Sequence, residues 1–342
     1  MTTNPILNQP IDVKGLTVVV TGAAKGIGAA IARAYVEKGA NVIGVDIDRA
    51  ALQELYSQIA AAREAEQHGR FFPFEANLAS PAGIKRNFPR LAAFADKVGG
   101  GKLDVLIANA GLIKTMPKDQ AATIATTPVE ELDMLYRLHM AANFSLYQGL
   151  SPLLQKSSAP KLIVTSSPIV GRADPATVAY AMTKGALESL AQNIAAEQAA
   201  NHWLVTAIDP GRVQTALRAE VRASELAGAN PSPDHIVSFF LAAGSRGADR
   251  ALWHGHTITV GNIEIGNGNK DNVQTAGGYL LNISRRPLNK AGAAAEIIDP
   301  AFDSAASMAY VVPVQHGSVA RPPARPIDAI YGKPSAALAL RS

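Results

Sequence analysis

The sequence predicts an α/β fold, a doubly wound parallel sheet in a single domain with a C-terminal extension. Short apolar runs rich in Val, Ile and Leu recur from Val18 to Val260, stretches of helical period separate them, and small-residue or glycine turns follow several of the runs. Strands that are apolar on both faces and alternate with helices belong in a parallel sheet covered on both sides.

Residues 1–14 read as a flexible N-terminal arm, and residues 15–262 as the domain. The first strand is expected at 16–21 and its helix at 26–38, followed by a strand at 41–46 and a helix from Asp48 to about residue 63. A third strand, Phe71-Phe-Pro-Phe-Glu75, precedes a helix at 81–94, and the glycines at 99–101 form a loop before a fourth strand at 103–108. A polar, Thr-rich loop at 112–128 leads to a helix through His139 to Leu154, and the fifth strand, 161–165, delivers Ser167. A loop at 168–179, a helix at about 180–200 and a strand at 203–208 come next. Residues 215–234 should form a flap in which Leu217, Val221 and Leu226 recur at helical spacing, a pattern read as packing. A helix at 235–243 and a strand at 255–260 close the domain. Residues 263–342 hold fifteen Ala, seven Gly and seven Pro. That composition builds a core of its own with difficulty. We expect an arm laid over the domain or over a neighbouring subunit, with plain disorder as the competing reading.

The first turn carries chemistry. In Thr21-Gly22-Ala-Ala-Lys25-Gly26-Ile27-Gly28 a β-branched strand runs into three glycines and then a small-residue helix. Glycines let a backbone approach a pyrophosphate, and free helix N–H groups favour its charge. The second strand ends in Asp46, followed by Ile47. A carboxylate there suits the hydroxyls of an adenosine ribose and repels the 2′-phosphate of NADP. Lys25 pulls the other way, since a cation in the turn can pair with that phosphate. The position of Asp46 is the more restrictive, so NAD is favoured over NADP.

Tyr180 and Lys184 lie one helical turn apart, on one face of a helix. A cation beside a phenol favours phenolate and lowers a pKa that is otherwise about 10. Such a tyrosine exchanges protons near neutral pH. Tyr-x-x-x-Lys alone is a weak signal; its weight comes from the glycine turn at the other end of the chain.

The series Thr21-Gly22-x-x-x-Gly26-Ile27-Gly28, Asn109-Ala110-Gly111 after an apolar strand, Ser167, Tyr180-x-x-x-Lys184 and Asp209-Pro210-Gly211 closely resembles the short-chain dehydrogenase/reductase family, in its shorter, single-domain branch. The resemblance covers residues 14–261, about three quarters of the chain. It implies a Rossmann-type fold and assembly as a homodimer or homotetramer. It also implies that Ser167 bonds the substrate oxygen, Tyr180 is the acid/base, and Lys184 binds the nicotinamide ribose while lowering the tyrosine pKa. Asn109, Ala110 and Gly111 would line the adenosine side. Pro210, Gly211 and Val213 would lie against the nicotinamide, with Thr215 near its carboxamide. Asn77 and Leu78 follow the third strand, where the family usually has an aspartate at the adenine edge; the Asn77 amide supplies both an acceptor and a donor.

One position departs from the family. Its fourth catalytic residue is an Asn nine residues ahead of a Gln, and counting back from Gln148 gives His139, with Asn143 one turn further along. In the family that Asn marks a helix distortion whose main-chain carbonyl holds a water leading to the lysine. His139 can preserve that backbone role, relay protons itself near its ordinary pKa of about 6.5, or simply pack.

Composition excludes several classes. The 342 residues are 48% apolar and 18% charged, and they contain no cysteine, so disulfide scaffolds, thiolate metal sites and Cys nucleophiles are out. Apolar runs are strand-sized, so no membrane span is expected, and residues 1–14 show no secretory signal. A cytoplasmic enzyme fits. The net charge is +4, with eight Lys/Arg and six Asp/Glu in 263–342, and no basic block, so nucleic-acid binding is not expected. His254 and His256 lack a nearby carboxylate, and no metal site is predicted. Lys114, Lys118, Arg218 and Arg222 could meet an acidic substrate, but a solvated surface is the simpler reading.

The function expected is hydride transfer between a nicotinamide cofactor and a secondary alcohol or ketone. The alternative is a dinucleotide-binding sensor or assembly protein that has lost its chemistry, against which the retained Ser167, Tyr180 and Lys184 argue. A dinucleotide-free lyase on the same fold would replace the glycine turn, which is intact here.

Overall fold

The computed structural model describes residues 10–62, 68–113, 123–170, 172, 177–217, 230–263, 280–287 and 296–297. Seven parallel strands form the body of the sheet: β1 (Thr17–Thr21), β2 (Asn41–Asp46), β3 (Phe71–Glu75), β4 (Val105–Ala108), β5 (Lys161–Thr165), β6 (Leu204–Asp209) and β7 (His256–Ile263). Two further strands, β8 (Leu280–Pro287) and β9 (Glu296–Ile297), extend it antiparallel. The spatial order is β3-β2-β1-β4-β5-β6-β7-β8-β9. The chain winds one way from β1 to β3 and the other way from β4 onward. The order therefore reverses between β1 and β4, and a crevice opens beyond their C-terminal ends.

Helices cover both faces. They are α1 (Gly26–Glu37), α2 (Arg49–Ala61), α3 (Pro81–Gly99), α4 (Val129–Tyr136), α5 (Ala142–Leu154), α6 (Val178–Glu197), α7 (Asp234–Gly244) and the short α8 (Arg250–Trp253). The alternation of side chains along a strand divides the core in two. Val18 and Val20 join α1 and α7 in one cluster, whereas Val19 points to the other, with α3, α5 and α6. Both faces of β1, β4, β5 and β6 are buried, which is why these strands read as unbroken apolar runs.

Several elements differ from expectation. α3 runs five residues past the expected Phe94, to Gly99, because Leu91 and Ala95 keep its apolar face on the core; Gly100, at φ 60°, ends it in the left-handed region. Between α4 and α5, Arg137–Ala141 forms a π-helical turn around His139. α8 was not foreseen. In the segment expected to be a free arm, Asp12 accepts a bond from Arg246 Nη1 (2.9 Å), and the Ser245 hydroxyl donates to the Pro10 carbonyl (3.0 Å). The expected arm beyond residue 262 contains β8, paired residue for residue with β7 from His256↔Pro287 to Ile263↔Leu280. Residues 298–342 lie outside the described residues. Also outside are Lys114, Lys118, Arg218, Arg222, Val221 and Leu226. Among the described residues no helix is long and apolar enough to cross a membrane.

At the opposite end of the sheet from the crevice, Asp104 ties three segments together. Its nearly inaccessible carboxylate accepts bonds from Thr17 N (3.0 Å), Ser157 Oγ (2.6 Å) and Lys102 Nζ (2.8 Å). Burial pushes its pKa up, but the bonds from Lys102, Ser157 and Thr17 outweigh it and hold the carboxyl below the ordinary value. Asp104→Ala strands those donors and should cost about 2–4 kcal/mol of stability near neutral pH. Because the folded pKa is depressed, this contribution is complete above the unfolded value of about 3.9 and is lost as pH falls through the folded pKa. Chemical denaturation should show a constant gap between wild type and variant from pH 6 to 8, closing below about pH 4. A gap that stays open at low pH would sink the assignment.

Candidate active site

The crevice between β1 and β4 is built from the turns that follow them. Thr21 Oγ1 accepts the N–H groups of Asn109 and Ala110 (both 3.0 Å), and Asn109 Nδ2 donates back to the carbonyls of Thr21 (3.1 Å) and Gly22 (3.3 Å). Side chain and backbone thus lock the two turns together. There is no room for more: a Cβ on Gly22 would stand 2.8 Å from Ala110 Cα, and one on Gly28 2.0 Å from the Gly22 carbonyl oxygen. Gly28 therefore serves the packing of α1 on the turn and does not line the cavity. No side chain caps the N-terminus of α1. A helix N-terminus without a side-chain cap suits an anion such as a pyrophosphate.

A cavity of about 350 Å³ extends from this turn along the strand ends. Gly22, Lys25, Gly26 and Ile27 line one end, with Asp46 beside them. Asn109, Ala110 and Gly111 form part of its wall, and Ser167, Tyr180 and Lys184 stand together in it. Pro210, Gly211, Val213 and Thr215 also line it, joined by Leu112, Ile113, Thr165, Pro168 and Leu217, which the motifs did not single out. Ile47 and Asn77 line a separate hollow beside Arg86 and Arg90. Asn77 Oδ1 is used locally, accepting from Ala79 N (2.9 Å), and the Leu78 side chain is part of the core below β2 and β3.

Asp46 does more than end a strand. Its carboxylate accepts from Ala24 N (3.0 Å) and from Asp48 N (3.1 Å), so it shapes the glycine turn itself. Lys25 is bonded to Asp48 Oδ2 (2.6 Å), an exposed pair that raises the lysine pKa. Both oxygens of Asp46 keep further lone pairs for a ligand.

At the other end of the cavity, Lys184 is buried and donates to the Thr165 carbonyl (2.8 Å). Burial lowers its pKa to about 8, against the opposing charges of Glu188 and Asp209. Ser166 donates to Glu188 beneath it. The Tyr180 phenol does not show the lowered pKa expected from the sequence. Burial pushes it up to about 12; the hydrogen bond with Ser167 favours phenolate, whereas the charge of Asp209 opposes it. Lys184 Nζ lies 5.9 Å from the tyrosine ring centroid and is itself desolvated, so it does not offset the cost of burying a phenolate.

His139 is fully buried outside the cavity, behind Gly111. Burial first, and the charge of Lys184 second, hold its pKa well below the ordinary value. Its main-chain carbonyl accepts from Asn143 Nδ2 (2.8 Å). The helix distortion expected at this position is present as the π-helical turn. Thr183, Thr165 and Glu188 were missed by sequence reasoning. The spacing Tyr180, Lys184, Glu188 (i, i+4, i+8) was the signal that would have found the last of them. His254 accepts the Val205 N–H at Nδ1 (3.2 Å), and His256 Nδ1 is paired with the His254 carbonyl (2.9 Å). Among the described residues no group of three or more His, Asp or Glu side chains could hold a metal ion.

Comparison with known proteins agrees with this geometry. The family model described as short chain dehydrogenase matches residues 16–226, more than half of the chain. D-threitol dehydrogenase of Mycolicibacterium smegmatis is 27% identical over 261 residues, 71% of this chain and 94% of the relative. A solved structure from Pseudomonas syringae, described as a short chain dehydrogenase, is 31% identical with a TM-score of 0.63, covering 69% of this chain and 92% of its own. Another, from Shigella flexneri and complexed with NADP, is 28% identical with a TM-score of 0.62, covering 70% and 96%. Crevice, glycine turn and the Ser167–Tyr180–Lys184 cluster lead to one conclusion: the chain belongs to the short-chain dehydrogenase/reductase family.

Proposed function

We propose that the protein is a nicotinamide-dependent oxidoreductase that interconverts a secondary alcohol and its ketone. The observation that carries this reading is the convergence of Ser167, Tyr180 and Lys184 in the same cavity as the uncapped N-terminus of α1 and the glycine turn. A bound nicotinamide would supply the hydride donor or acceptor. Ser167 orients the substrate oxygen, and Tyr180 gives it a proton or takes one. Lys184, anchored on the Thr165 carbonyl, supplies positive charge where phenolate character develops. A sensor that had lost its chemistry would have no use for this cluster.

Both dinucleotides enter the proposal. Asp46 at the strand end supports NAD. Lys25, released from Asp48, supports NADP, as does the NADP held by the Shigella flexneri relative. The assay is loss of reduced-nicotinamide absorbance with a panel of polyols, sugar acids and 3-oxoacyl compounds, using NADH and NADPH in turn. Turnover is expected with at least one ketone. A kcat/KM ratio above about 10 in favour of one dinucleotide would assign the ribose to Asp46 or the 2′-phosphate to Lys25. Tight dinucleotide binding without turnover across the panel would sink the enzymatic reading.

A further inference from the structure

The π-helical turn places His139 between two elements of the site. The Leu112 amide donates to Nε2 (3.1 Å), and Nδ1 lies 2.9 Å from Thr183 Oγ1. A main-chain amide can only donate, so Nε2 carries a lone pair. An imidazole with one unprotonated nitrogen must carry its proton on the other. Nδ1–H therefore donates to Thr183, whose own hydroxyl proton goes to the Tyr180 carbonyl (3.0 Å). Every donor and acceptor on the ring is thus used, and the neutral Nδ1–H tautomer is the only form that satisfies both partners.

The packing points the same way. The ring stands edge-on to Tyr180, with centroids 5.6 Å apart at 76°. A Cβ on Gly111 would lie 2.9 Å from Nε2 and 3.5 Å from Lys184 Nζ, so the imidazole fills the space behind the cavity wall beside the lysine. The charged and titratable groups facing it are Lys184 and Tyr180, both on α6. A proton added at Nε2 would have to expel the Leu112 amide.

We infer that His139 is a positioning residue: a neutral strut that joins the turn after β4 to α6 and so sets Tyr180 and Lys184 against the cofactor wall, without passing protons. The kinetic consequences rest on the proposed roles of Tyr180 and Lys184; the tautomer does not.

Two measurements on the full chain test it. In nitrogen-15 NMR, the His139 ring is identified as the signal missing from His139→Gln, or as the one displaced in Thr183→Val if the first variant does not fold. The expected result is an Nδ1–H pattern that persists from pH 8 to pH 5. An Nε2–H pattern, or titration near about 6.5, would overturn the strut. Kinetically, His139→Gln and Thr183→Val should each lower kcat about 10- to 100-fold, with the dinucleotide KM changed less than about 3-fold. The double variant should be no worse than the poorer single one, because both break the same link, and the limbs of the pH profile should keep their positions. Multiplicative losses, or a limb that moves with His139→Gln, would contradict the proposal. If no variant or wild type turns over any substrate while the NMR pattern holds, the enzymatic reading fails and the strut stands.

Discussion

Tyr180→Phe should lower kcat by at least about 10³-fold while dinucleotide affinity stays within about 3-fold of wild type. The ring remains, and with it the edge contact to His139; only the hydroxyl that moves the proton is lost. The pH dependence should be equally telling. Burial holds the free phenol near a pKa of about 12, so its basic form is scarce at neutral pH. Alcohol oxidation by the wild type should therefore rise with pH from about 7 to 10, and the residual rate of the variant should not. Stopped-flow rates of reduced-nicotinamide formation across that range read both. A variant that keeps more than about a tenth of wild-type turnover would remove Tyr180 from the chemistry.

Gly28→Ala should damage the site from the cofactor end. The added methyl would lie 2.0 Å from the Gly22 carbonyl oxygen and 2.7 Å from Asn109 Nδ2, the atom that bonds the Thr21 and Gly22 carbonyls. The first neighbour is backbone and the second a side-chain end held by two hydrogen bonds, so α1 or the turn must move. A stability loss of about 3 kcal/mol or more and at least a 100-fold weaker dinucleotide Kd are expected, on the order of other backbone overpacking effects. Gly26→Ala is the control. Its Cβ would meet only the Thr215 side chain at 3.4 Å, and its penalty is the φ of 56°, about 1–2 kcal/mol. Calorimetry and isothermal titration read the two variants. Near-normal dinucleotide binding by Gly28→Ala would place the cofactor elsewhere.

Strands buried on both faces were legible because that burial leaves an unbroken apolar signal: β2 and β5 have the bounds read from the sequence. The cavity lining was legible for a related reason. Close backbone approach demands glycine, and the Tyr180–Lys184 spacing puts both side chains on one helix face. What escaped depends on contacts between distant segments. No local pattern shows that Thr183 carries a bond from His139 on to the Tyr180 carbonyl, or that Asp46 spends its carboxylate on the amides of Ala24 and Asp48. The acidity of Tyr180 was misjudged because spacing reports a nearby cation and says nothing of desolvation, which is the larger effect here. β8 was missed because a strand that carries Asn282, Ser284, Arg285 and Arg286 lacks an unbroken apolar run.

Pairing β8 against the whole length of β7 hides a row of backbone donors and acceptors that a seven-stranded body would leave bare. A chain cut short before Leu280 would expose eight residues of β7 as a ready template for other chains. Premature termination or nicking in that stretch would then surface first as clumping in the test tube, before any fault in catalysis could be measured.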